Sequence, residues 1–207
     1  MNKETPVNDI SEIIDYWFGQ LDQDGFSSTE AKQKWWSGTD EIDLEISHSF
    51  ESLIQSAFKH ELDEWKETSL GQLALIILLD QFTRNIYRGT EQAFSGDHHA
   101  LEICKQGLSR KFDLELPIEY RVFFYMPLEH SENLEDQELC IRLLSALKRE
   151  CPENKQQLID NYVGFAQQHK QIIEQFGRFP HRNAALNRTN TAEELAYLED
   201  DHASFGQ

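Results

Sequence analysis

Apolar residues recur at three- and four-residue intervals over most of this chain, the spacing of one face of an α-helix. Ile10, Ile13, Ile14 and Trp17 make the first such face, with Asn8 or Asp9 as N-cap and Gly19 as stop. Ser28 or Thr29 is placed to cap a short helix that carries Trp35 and Trp36 and ends near Gly38. Thr39 caps the next, in which Ile42, Ile46, Phe50, Leu53, Ile54 and Ala57 form a stripe. From Ser69 to Phe82 the run "LALIILLDQF" is apolar on every side, with Gln72 and Asp80 at its flanks and no turn residues inside, which predicts a central helix buried all round. Residues 97–108 read as another helix. Pro117 opens one over "IEYRVFFYM"; Val122 to Tyr125 are β-formers, but Tyr120, Phe123 and Phe124 keep helical spacing. Asn133 caps a helix to about Arg149. Pro152 opens a long one to Phe176, with Leu158, Phe165, Ala166, His169, Ile172, Ile173 and Phe176 inward and Gly177 as its stop. Thr191-x-x-Glu194 forms a capping box for the last. About nine helices and no strand alternation predict a single all-α domain over 1–207, built as an array of antiparallel helix pairs.

Charge narrows the partners. The chain has 207 residues and carries 37 acids against 19 bases, a formal net charge of −18. Such a surface repels phosphate backbones and anionic bilayers, so neither nucleic acid nor membrane is an expected partner. The longest unbroken apolar run, Leu73 to Leu79, is far short of the ~20 residues that span a bilayer. Cys104, Cys140 and Cys151 are odd in number and contain no CxxC, which suits a reducing compartment. The N-terminus lacks a secretory pattern, and a cytoplasmic location is expected.

Against this acidity, "QFGRFPHRNAALNR" (175–188) holds Arg178, Arg182 and Arg188 and no acid. It is one of three polar segments at helix ends, with "LDQFTRNIYRGTEQAFSGD" (79–97) and "FFYMPLEHSE" (123–132). Arginine offers a planar donor fork suited to carboxylate or phosphate. If the segments converge, Arg178 and Arg182 hold an anion, with Arg84, Arg88, Arg188, Tyr125 and Asn183 as further ligand contacts. Asp80, His130 and His181 are the candidate catalytic groups, and His169 and Glu132 stand behind them. The opposing reading is internal salt bridging, since Asp80 precedes Arg84 by four residues and Glu174 precedes Arg178 by four. Arg182 and Arg188 have no such local acid. His169, on an apolar helix face, also reads as a satisfied core histidine. Asp97, His98 and His99 read as a solvated helix start. No P-loop, GxGxxG, GxSxG or HExxH occurs, and neither a cofactor nor a metal is expected. One echo is visible: "DQFTR" at 80–84 and "EQFGR" at 174–178, each expected to end an apolar helix.

At these residues the chain resembles the bacterial domain-of-unknown-function family numbered nine hundred and twenty-four. The matching blocks are "IIDYWFG" (13–19), "LALIILLDQFTRNIYRGTEQAFSGD" (73–97), "FFYMPLEHSE" (123–132) and "QFGRFPHRNAALNRTNTAEELAYL" (175–198). The resemblance implies a tetratricopeptide-like helical array and no particular activity. Thr83 stands where the family usually has Pro, which would loosen the turn there. Asn187 stands where it usually has Gly, a change that a left-handed turn survives.

Three functions follow as expectations. The first is a site for a small anionic molecule, with or without catalysis. The second is a salt-bridge network that only locks helix ends and leaves no cavity. The third is a groove that binds a peptide partner, as helical arrays do.

Overall fold

Every segment of helical periodicity is helical in the computed structural model, which describes residues 6–199. The α-helices are α1 (Pro6–Phe18), α2 (Thr29–Ser37), α3 (Asp40–Phe58), α4 (Ser69–Ile76), α5 (Thr83–Ile86), α6 (Asp97–Arg110), α7 (Ile118–Glu129), α8 (Leu134–Leu147), α9 (Gln156–Phe176) and α10 (Ala192–Glu199). No strand occurs among the described residues, so the class is all-α. None of the described helices is long and apolar enough to cross a membrane.

The caps follow side-chain chemistry. The Ser28 hydroxyl accepts from the Ala31 N–H and stops the first turn of α2 from fraying. Asn133 Oδ1 accepts from the N–H groups of Glu135 and Asp136 at the start of α8. Both halves of the Thr191–Glu194 capping box form, at 2.7 and 3.1 Å. Gly177 ends α9 in the left-handed conformation, φ 68°. Two boundaries differ from expectation. Helix α1 begins at Pro6, so Asn8 and Asp9 lie inside it, and α9 begins at Gln156 after a short 3-10 turn rather than at Pro152. Thr39 takes the expected N-cap position of α3 without a side-chain hydrogen bond. Thr68 caps α4, its hydroxyl accepting from the Gly71 N–H.

Helix α4 is the centre of the core, as its all-round apolar pattern requires. Leu73, Leu75, Ile76, Ile77, Leu78 and Leu79 are all buried, each contributing about 1.5–3 kcal/mol relative to exposure. Helices α1, α3, α6 and α7 pack around α4 and the turn that follows it. An aromatic cluster closes one side: the Trp17 ring lies 5.4 Å from Phe82 and 5.9 Å from Phe123, and Trp35 lies 4.6 Å from Phe123. From α7 onward, neighbours in the chain pack in sequence, α7 on α8 and α8 on α9. A solenoid's repeats touch only their neighbours; α4 and the turn after it, touched by α1, α3, α6 and α7, are unlike that, and a tetratricopeptide-type stack is not established by this packing. A satellite core of Ile172, Ile173 and Phe179, with Phe176 and Tyr197 beside it, joins the end of α9 to α10.

Candidate functional site

Beyond Ile76 the helix of α4 does not stop. It widens into a π turn, Ile77–Phe82, and resumes as α5. A π turn admits one extra residue, shifts the side chains that follow it, and recurs at functional sites. The expected loosening at Thr83 does not occur, because its hydroxyl donates to the Leu79 carbonyl at 2.8 Å and the residue stays helical.

The widened turn carries Asp80, which has no exposed surface. Its carboxylate accepts from Gln81 Nε2 at 2.5 Å, meets the Arg84 guanidinium at 3.1 Å and lies 2.7 Å from His130 Nδ1. Burial works against the charge, but Arg84 and His130 overcome it and hold the carboxyl well below the usual carboxylate range. An ionised carboxylate only accepts, so His130 must donate from Nδ1, which leaves its lone pair at Nε2. His130 is placed there because it is the C-cap residue of α7.

Arg84 reaches past Asp80. Its two terminal nitrogens bind both oxygens of Asp97, at 2.8 and 3.0 Å. Asp97 is therefore no solvated helix start; its second oxygen also accepts from Arg182 at 3.1 Å. The preceding Gly96 makes this possible, since a Cβ there would run into the Leu79 carbonyl. Arg182 lies over the rings of Phe94 and Phe179, at 4.8 and 4.5 Å. Burial pushes its pKa down to about 10, so it keeps its charge at neutral pH.

The rest of the 175–188 stretch is tied down by acids from elsewhere. Arg178 makes a two-pronged pair with Glu194, at 2.6 and 2.7 Å, and Glu174 turns instead to Lys170 at 3.0 Å. Arg188 binds both oxygens of Glu132, at 3.0 and 2.8 Å, and donates to the Phe179 carbonyl. Glu132 also accepts from the Phe179 N–H at 2.8 Å. Asn183 donates to Asn190 at 2.6 Å. Asn187 is left-handed, φ 54°, the conformation that asparagine tolerates.

A cavity of ≈ 230 Å³ opens beside the Asp80 network. Gln81 of the π turn, Arg84 and Asn85 of α5, Arg88, Glu129 and His130 at the end of α7, and His169 of α9 line it. Trp35, Val122, Met126, Tyr162 and Phe165 complete it with mostly apolar surface. Phe165, expected to face inward, is half-exposed and stands at this cavity. His169 Nδ1 lies 2.9 Å from the Phe165 carbonyl and 3.2 Å from Glu129 Oε1. That last contact has ion-pair geometry, yet burial opposes both charges. It pushes Glu129 up to about 8, with Asp80 adding to the shift, and His169 down to about 3, with His130 adding to it. Near neutral pH the contact is a hydrogen-bond distance between mostly neutral groups.

The structure thus divides the predicted residues. Arg84, Arg88, His130 and His169 line the cavity; Asp80 stands behind His130, and Arg182 behind Asp97. Arg178, Asn183, Arg188 and Glu132 belong to the loop that joins α9 to α10. The His181 ring lies 5.4 Å from Phe179 and is not part of the cavity wall. Tyr125 points elsewhere: its hydroxyl donates to Asp113 at 2.8 Å and accepts from Arg121 at 3.2 Å. Sequence reasoning missed Glu129, Gln81, Asn85 and Trp35. Glu129 had a signal, an acid that closes an apolar run directly before His130; the amides had none.

The sequence pattern of a family described as bacterial proteins of unknown function, DUF924, matches residues 13–202. Among curated proteins none matches the chain. A solved structure of a protein of unknown function from Agrobacterium tumefaciens is 32% identical, with a TM-score of 0.79, and covers 94% of this chain and 99% of its own. The chain therefore belongs to the DUF924 family of bacterial proteins.

Proposed function

We propose that the chain binds a small organic anion in the cavity between α5, α7 and α9. The observation that carries this reading is the mixed lining of the cavity. Gln81, Asn85 and Arg88 bring amide and guanidinium groups to it, and Trp35, Val122, Met126 and Phe165 bring apolar surface. A carboxylate or phosphate suits the donors, and a short apolar body suits the rest. The volume is below the ~300–1,000 Å³ of drug-sized sites, which favours a small metabolite. Of the two arginines that line the cavity, Arg88 is the more exposed and is the proposed anion contact. Arg84 is committed to Asp80 and Asp97. Asp80 acts as a positioning residue, fixing the tautomer of His130.

A second reading, a structural salt-bridge network, is favoured for residues 178–188. There Arg178, Arg182 and Arg188 each meet an acid within 3.1 Å. The two readings therefore apply to different arginines.

The test is a thermal-shift screen against phosphorylated and carboxylated metabolites. A ligand at a hundred times its Kd adds about 2.7 kcal/mol, or roughly 5–10 °C for a chain of this size. At least one anion is expected to give such a shift, and Asn85→Ala to reduce it. No shift with any anion, or an undiminished shift in Asn85→Ala, overturns the proposal.

A further inference from the structure

We propose that Glu129, His130 and His169 form a binding site for one divalent first-row transition-metal ion. This deepens the cavity reading, since all three residues line that cavity, and it supplies what the cavity lacks. Arg84 already faces Asp80 and Asp97, so an anion entering beside it gains little net positive charge from it. A metal ion would provide it.

The geometry rests on three observations. First, one ligating atom from each of the three side chains lies within 4.8 Å of the other two. Two imidazoles and one carboxylate are a donor set suited to iron, cobalt, nickel or zinc. Ligands on a tetrahedral ion at ~2.0–2.2 Å stand about 3.4 Å apart, so the ion has to draw them in by at most about 1.4 Å. Second, the His130 imidazole already has an oxygen partner at Nδ1. It donates to Asp80 at 2.7 Å, while His169 Nδ1 lies 3.2 Å from Glu129 Oε1. In metal centres such an outer acceptor orients the ring and directs Nε2 to the ion. Third, the outer carboxylate is held in place by Arg84 and by its position in the π turn. These are the supports that separate a prepared site from three titratable groups that happen to meet.

No ligand spacing announces the triad. Glu129 and His130 are adjacent, and adjacent residues on a helix diverge; here His130 caps α7 rather than continuing it, which brings the two together. A second cluster, His60, Asp63 and His99, is largely exposed and serves as the control.

The probe is Co²⁺, titrated into the chelator-treated full chain and read by visible ligand-field absorption and calorimetry. One equivalent is expected to bind, displaced by Zn²⁺. His169→Gln and Glu129→Gln are each expected to weaken it about a hundredfold or more, and Asp80→Asn about 10–100-fold. His60→Ala is expected to leave it unchanged. No binding to the wild-type chain overturns the site, as does binding that survives Glu129→Gln or is lost in His60→Ala. Near-UV dichroism checks that each variant folds; should His169→Gln fail, Glu129→Gln and the His60→Ala control decide alone. A chain that binds an organic anion but no Co²⁺ refutes the metal site and leaves the cavity reading standing; binding of Co²⁺ without any anion does the reverse.

Discussion

Residues 80–84 and 174–178 share the order acid, Gln, Phe, any residue, Arg, and each follows an apolar helix. In the first copy the acid and the arginine meet at 3.1 Å inside the core, and the helix runs on through a π turn into α5. In the second they part. Glu174 pairs with Lys170 near the surface, Arg178 pairs with Glu194 sixteen residues on, and the helix ends at Gly177. Two physical differences separate them. The fourth residue is Thr83 in one, whose hydroxyl caps the Leu79 carbonyl, and a left-handed glycine in the other. Burial differs too: with no water to satisfy Asp80, its partners must be protein groups, and those partners build the cavity wall. A shared local pattern acquires its role from where the fold puts it.

The largest expected effect comes from the first copy. Asp80→Ala leaves Arg84 buried with one acid fewer and removes the acceptor of His130, and should destabilise by about 3–5 kcal/mol. Urea unfolding of Asp80→Ala beside Glu174→Ala measures the contrast, and the second variant should leave the midpoint unmoved. Similar losses in both would remove the distinction between the copies.

Next in size is Gly177→Ala. Its φ of 68° disfavours any Cβ, and nothing lies near the added atom, so the cost is conformational alone, about 1–2 kcal/mol. A loss much above that would mean the helix stop does more than turn the chain.

Acid should undo the second copy in a defined window. The bond from Arg178 outweighs burial and lowers Glu194 from the ordinary value near 4.5 to about 2. The pair's stabilisation is therefore complete above pH ~4.5 and is lost as pH falls through ~2. Tyr197 NMR signals, followed against pH, should report α10 detaching late in that window, and earlier in Arg178→Ala. An unchanged midpoint in that variant would separate Glu194 from Arg178.

Much of the fold was legible, since helical periodicity and caps such as Ser28, Asn133 and Thr191 are local properties of the chain. The π turn was not. It carries Asp80 to His130, a contact that spans fifty residues and leaves no local mark in the chain. The 175–188 cluster was legible as charge but not in its role. Arg182 and Arg188 have no local acid, yet Asp97 and Glu132 meet them in space, and Arg178 pairs with Glu194 rather than with Glu174. Glu129 escaped notice because acids are ordinary in this chain, and its one local signal, closing an apolar run before His130, does not reveal its burial.

The central claim is that the cavity beside the first copy takes the anion, while the basic stretch after the second is structural. Calorimetric titration of the best anion into Arg88→Ala and Arg178→Ala tests this most directly. The account predicts binding weakened at least tenfold in Arg88→Ala and unchanged in Arg178→Ala. Wild-type affinity in Arg88→Ala, or its loss in a folded Arg178→Ala, would contradict it.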